Sequence, residues 1–136
     1  MSNESKVFAA VLLLTMLTIE FGGYFLLTIL SGKEKKIDRT SVVFSYFRAG
    51  HAHAGVLVIL ALVAMMLVDA TSAGGAMKTA IRACMAAGPL FVSGGFFGAG
   101  GTLKADQPGR LIALVYVGAV VLAAGLVALA VALLGG

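Results

Sequence analysis

Four long apolar runs, separated by short polar or glycine-rich breaks, set the pattern of this chain. The first, residues 7–30, is nearly unbroken. Its polar exceptions are Thr15, Thr18, Glu20, Tyr24 and Thr28. The second covers roughly residues 50–68, the third about 80–101 and the fourth about 110–134. Each is close to the ~20 residues that cross a bilayer as a helix. The pattern predicts an all-α integral membrane four-helix bundle with antiparallel up-down connectivity and no soluble domain, the single domain being residues 1–136. Residues 41–47 are aromatic and β-branched, and fit either an interfacial segment or the start of the second helix. Pro89 falls inside the third run, where a proline removes a helix hydrogen bond and is expected to kink it. The first run is too long for the core of a signal peptide and lacks an Ala-x-Ala cleavage site in the right place.

Composition sharpens this picture. The chain has 136 residues, 60% hydrophobic and 12% charged, with a mean hydropathy of +1.05. Soluble domains carry about 25% charged residues. So small a soluble sphere could not hide this much apolar surface, which makes the lipid bilayer the expected solvent and partner. The net charge of +4 does not point to nucleic acid, because no basic and aromatic surface is long enough to track a backbone. The basic residues instead sort by loop. Lys33, Lys35, Lys36, Arg39, Arg48, Lys104 and Arg110 lie on one side, Lys6, Lys78 and Arg82 on the other. The richer side is expected to be cytoplasmic. That orientation puts both termini outside, in a bacterial inner membrane. Arg82, near a helix start, reads as a snorkelling anchor. The single cysteine, Cys84, reads as a small apolar residue among alanines.

Glu20 is the most informative position. A charged side chain at the centre of a membrane helix costs about 2.5–3.5 kcal/mol on insertion scales, so it persists where it faces a cavity, pairs with a cation or moves a proton. Tyr24 lies one turn on along the same face. The second constellation is Arg48-Ala49-Gly50-His51-Ala52-His53, which holds both histidines of the chain. On a helix Arg48 and His51 share a face, whereas His51 and His53 are about 200° apart. One metal therefore cannot take both from a regular helix, though copper or zinc could use one each. Glu20 lies about 15 Å from the end of its helix, and His51 about as deep if the second helix starts near Ser41. Glu20, Tyr24, Arg48, His51 and His53 thus form a candidate polar or proton-handling site, with the partner of Glu20 left open between Arg48 and His51.

Small residues suggest helix packing: Gly94 and Gly98 as a G-x-x-x-G pair, and Ala124, Ala128 and Ala132 as a stripe on the last helix. They fit packing within one chain, a homo-oligomer or a partner membrane subunit. Met16, Met65, Met66 and Met85 are soft copper ligands in principle, but apolar filler is the simpler reading. The glycine-rich run at 94–101 lacks the Gly-Lys-Ser/Thr ending of a phosphate loop, and Ser93 has no base beside it. No catalytic constellation is visible, so an enzyme is not expected.

Two resemblances follow from these motifs. Glu20-Phe21-Gly22-Gly23 together with Phe47-Arg48-Ala49-Gly50-His51-Ala52-His53-Ala54-Gly55 resembles a group of small four-helix membrane proteins of bacteria, many of them actinobacterial. It implies the fold and the importance of these residues, and no reaction. His51-Ala52-His53 is also similar, over fewer than ten residues, to histidine-bearing helices of the haem–copper oxidase superfamily. There two histidines at this spacing ligate different cofactors. A haem here would need another axial ligand or a second chain, since no third histidine exists. The expected function is proton-linked solute transport or a channel-like role, with two alternatives: a non-catalytic subunit or assembly factor of a larger membrane complex, and a haem- or metal-binding redox protein.

Overall fold

The computed structural model describes residues 1–101 and 109–135. It contains helices α1 (Asn3–Leu30), α2 (Val42–Asp69), α3 (Gly75–Gly100) and α4 (Ala113–Leu134), the last preceded by a 3₁₀ turn at Arg110–Ile112. All four spans are long and apolar enough to cross a membrane, and among the described residues there is no strand. At 1.5 Å per residue the 28 residues of α1 and of α2 reach about 42 Å, more than the ~30 Å hydrocarbon core. Residues 102–108, with Lys104 of the charge count, lie outside the described residues.

Helix ends depart from the apolar runs because caps extend them. Ser2 accepts from the Ser5 N–H, so α1 starts in the polar terminus rather than at Val7. Ser41 does the same for the Phe44 N–H, so the aromatic run at 42–47 is helical and α2 begins eight residues before Gly50. The end of α1 is closed by Gly32, whose φ of 74° few other residues adopt. Its N–H donates to Ile29 and that of Lys33 to Thr28, satisfying two of the last carbonyls. In the loop that follows, the N–H and then the hydroxyl of Thr40 donate to Asp38, both at 2.8 Å, and hold its carboxyl below the usual range.

The helices are not packed equally. α3 is sandwiched between α2 and α4, whereas α1 rests mainly on α2 and makes no close backbone approach to α4. Close packing of α3 on α4 comes from glycines seven residues apart. Gly88 and Gly95 on α3 face Leu122 and Val115, and Gly118 and Gly125 on α4 face Val92 and Cys84. Of the four-residue stripes expected for packing, Gly98 meets Leu111, but a side chain at Gly94 would enter open space. Ala128 and Ala132 pack against the core, and Ala124 is exposed. Two turns, like one, return a helix to nearly the same face, so spacing alone does not choose between the rows.

Apolar burial concentrates at the end bearing both termini. Leu12, Val58, Ala61, Ala64, Met65, Val68, Ile81, Met85 and Leu129 bring all four helices into one cluster. Met65 and Met85 belong to this cluster and Met16 packs against it, so these three serve packing, whereas Met66 is exposed. A smaller cluster of Leu26, Ile29 and Phe44 joins α1 to α2 at the opposite end.

Arg82 does not snorkel. It is 2% exposed and turned into the bundle. Its guanidinium donates to Glu4 Oε2 at 2.6 Å, Ser5 Oγ at 2.8 Å, Ser2 Oγ at 3.1 Å and Asp69 Oδ1 at 2.7 Å. Asp69 also accepts from the Ser2 N–H and from the Ser2 and Ser5 hydroxyls. One cation thus ties the start of α1, the end of α2 and the start of α3 together. A buried charge is tolerable under these conditions because nearly every donor is satisfied.

Candidate functional site

Between the two apolar clusters α1 and α3 stand apart, and the space over α2 remains unfilled. The resulting cleft has a volume of about 220 Å³. Its walls are Thr15, Thr18 and Ile19 from α1, His51, Ala54 and Val58 from α2, and Pro89, Leu90, Ser93, Gly94 and Phe97 from α3. Thr18, Leu90 and Gly94 are exposed and form its rim, so it opens sideways between α1 and α3. Pro89 is fully buried in its wall, and α3 continues as a helix through it.

His51 is held in place by the two glycines of α1. Side chains at Gly22 and Gly23 would stand only 3.2–3.4 Å from its ring, so their absence makes room for the imidazole. His51 Nδ1 is buried and has no hydrogen-bond partner, and the same is true of Ser93 Oγ. Ser93 is 8% exposed. The hydroxyls of Thr15, Thr18 and Thr28 each donate to the carbonyl three residues earlier, at 2.6–2.7 Å. Ser93, a residue of the cleft wall, does not take that option, and its hydroxyl is left without a partner. A buried polar group without a partner costs roughly 1–3 kcal/mol.

The other predicted site residues lie elsewhere. Glu20 is exposed on α1 and makes no hydrogen bond or ion pair with the described residues. Tyr24, 61% exposed, lies beside it on the same outer face. Arg48 is exposed on α2, with its guanidinium 5.8 Å from the centre of the Phe44 ring and no ion pair among the described residues. Glu20 therefore meets neither Arg48 nor His51 within one chain. The His51 ring packs against residues two and three places beyond Glu20, so their depths nearly agree, while Glu20 is turned away around the helix.

His53 points to a different neighbour from His51. Its Nδ1 lies 2.7 Å from the Ala49 carbonyl, to which it donates as the Nδ1–H tautomer, and its ring lies 5.0 Å from that of Phe96 on α3. Among the described residues no three His, Cys, Asp or Glu side chains converge on one point. A metal or haem iron at either histidine would have to draw its remaining ligands from elsewhere.

Sequence reasoning named His51 but set Ser93 aside for want of a base. The signal for Ser93 was its position one helical turn beyond Pro89, in an otherwise apolar run facing the histidine helix. No family model, curated protein or solved structure matches this chain.

Proposed function

We propose that the protein is a non-catalytic subunit of a larger assembly in a bacterial cytoplasmic membrane, with both termini outside, and that the outer face of α1 carries its partner. The observation behind this reading is Glu20. It lies ten residues from Leu30 and 17 from Asn3, so at least ~15 Å from either end of α1. It faces outward with no hydrogen-bond or ion-pair partner among the described residues. Membrane carboxylates at such depth almost always face protein or water. The surrounding surface supports the same conclusion. Leu13, Leu17, Glu20, Tyr24 and Leu27 are all exposed, at spacings of four, three, four and three. This is the repeat with which one helix packs along another, and a single polar residue within such a seam fixes register and partner. The seam suits either a second copy or a different membrane subunit.

Glu20→Leu tests the reading. Glu20 makes no hydrogen bond or ion pair among the described residues that its loss would disrupt, so the variant should melt at or above the wild-type temperature in detergent. The wild-type assembly, sized in mild detergent by light scattering, should fall to single chains. A wild-type protein that is already monomeric when extracted from its native membrane, with no partner retained, would end the proposal.

A second reading draws on the same seam. Tyr24 makes the interface polar at the level of Glu20, and a carboxylate there suits proton-linked passage of a solute. In that case Glu20→Gln leaves the assembly intact and abolishes pH-driven uptake into vesicles. Loss of assembly with Glu20→Gln identifies the carboxylate as an interface group instead.

A further inference from the structure

We propose that the cleft between α1 and α3 binds a lipid-soluble carbonyl compound, whose oxygen accepts hydrogen bonds from His51 and Ser93. The site is separate from the outer face of α1, and the proposal holds whatever assembles there.

Three features of the cleft define the ligand. Two residues of its wall, His51 and Ser93, each carry a buried polar atom without a partner, Nδ1 and Oγ. Both can present a proton, the hydroxyl always and the imidazole as its Nδ1–H tautomer. The ligand that suits two donors is an acceptor, and a carbonyl brings no proton that would need a partner of its own. The rest of the wall is Ile19, Ala54, Val58, Pro89, Leu90 and Phe97, with the two threonine hydroxyls donated to backbone carbonyls. Among the described residues no carboxylate, lysine or arginine lines the cleft, so no fixed charge there balances a charged ligand. At ~30 Å³ each about seven waters would fill the space, but each needs two to four polar partners, more than these walls offer.

Size and access narrow the class. The volume of about 220 Å³ lies below the ~300–1,000 Å³ of a site that encloses a drug-sized molecule. It takes one ring or one chain end, the remainder trailing out past Thr18, Leu90 and Gly94. That rim opens where lipid would lie. The ligand therefore reaches the site from the bilayer with its carbonyl leading. A quinone ring and an acyl ester share this chemistry.

The experiment uses the full chain in lipid nanodiscs and three compounds of equal tail length: a short-tailed benzoquinone, a fatty-acyl methyl ester and the plain alkane. The readout is the shift in melting temperature with ligand concentration, which yields a Kd. A carbonyl compound should stabilise the wild-type protein and the alkane should not. Whichever carbonyl compound binds more tightly identifies the source. Ser93→Ala should melt no lower than wild type when empty, since it removes a hydroxyl without a partner, and should bind on the order of tenfold more weakly. Gly94→Leu, where the added side chain meets open space at the rim, should fold normally and block binding. Equal protection by the alkane overturns the proposal. So does no binding of either carbonyl compound, or full affinity in both variants. A lower melting temperature of empty Ser93→Ala also overturns it, by revealing an internal partner for the hydroxyl.

Discussion

Arg82→Met is expected to be among the most damaging single substitutions in the protein, with a loss of about 3–5 kcal/mol of stability. The side chain is almost wholly buried and is the hub of the contacts that join α1, α2 and α3 at the terminal end. Its removal leaves Asp69, only 16% exposed, as a carboxylate without its cation, held by Ser2 and Ser5 alone. Arg82→Lys should fall between the two. Lysine keeps the charge, but one ammonium cannot span the four acceptors that a guanidinium reaches with its planar fork. The carboxylates should not be equivalent. Glu4 is 60% exposed, so Glu4→Gln should cost less than about 1 kcal/mol. Asp69→Asn should cost more, because that side chain takes four hydrogen bonds and one of them is charged. Denaturant titration of the four variants in one detergent gives the order. Arg82→Met as stable as wild type would show that the network adds nothing to the fold.

The network also shows where a linear reading of the chain reaches its limit. The four helices were legible because apolar runs of this length leave few alternatives once water is excluded as the solvent. Their ends were not, because polar residues such as Ser2 and Ser41 are drawn into helices by a hydrogen bond that hydropathy does not register. The partners of Arg82 could have been anticipated, since the loop-charge argument already grouped Lys6, Lys78 and Arg82 on one side. The same grouping brings Glu4 and Asp69 within reach of Arg82. Reading Arg82 as snorkelling considered its helix alone. For Glu20 the difficulty was different. Distance along a helix fixes depth, and the depth was nearly right, since His51 meets Gly22 and Gly23. Rotation about the axis depends on which face α1 turns to α2, and a helix apolar on nearly every side carries no such information. The cleft was illegible for a related reason. A gap between α1 and α3 is a property of how four helices miss one another, and no stretch of the chain encodes it locally.

Gly95→Val and Gly118→Val should separate α3 from α4, whereas Gly94→Val should leave the fold unchanged. The contrast rests on what an added side chain would meet. At Gly95 a Cβ would stand 2.7 Å from the backbone nitrogen of Val115, and at Gly118 2.7 Å from that of Val92. Backbone in a hydrogen-bonded helix cannot rotate aside as a side chain can. The helices must move apart, and the core behind them with Met85 and Leu129 opens as they do. Overpacking a well-filled core costs about 1–3 kcal/mol, and these two sites should reach or exceed the upper end. Gly98 is an intermediate case. The nearest obstacle, at 2.6 Å, is the end of the Leu111 side chain, which has other rotamers, while the Leu111 Cβ at 2.9 Å must shift by a smaller amount, so Gly98→Ala should cost less than Gly95→Ala, where backbone stands at 2.7 Å. Gly94 has nothing within 4 Å of the position its Cβ would take. Since Gly94 and Gly95 are neighbours in one helix, the pair controls for helix propensity, and the difference in their melting temperatures reports packing alone. Equal losses at the two positions would show that the close crossing of α3 and α4 does not hold the bundle. Losses at Gly95 and Gly118 with none at Gly94 would establish the seven-residue glycine row as the seam on which α4 is mounted.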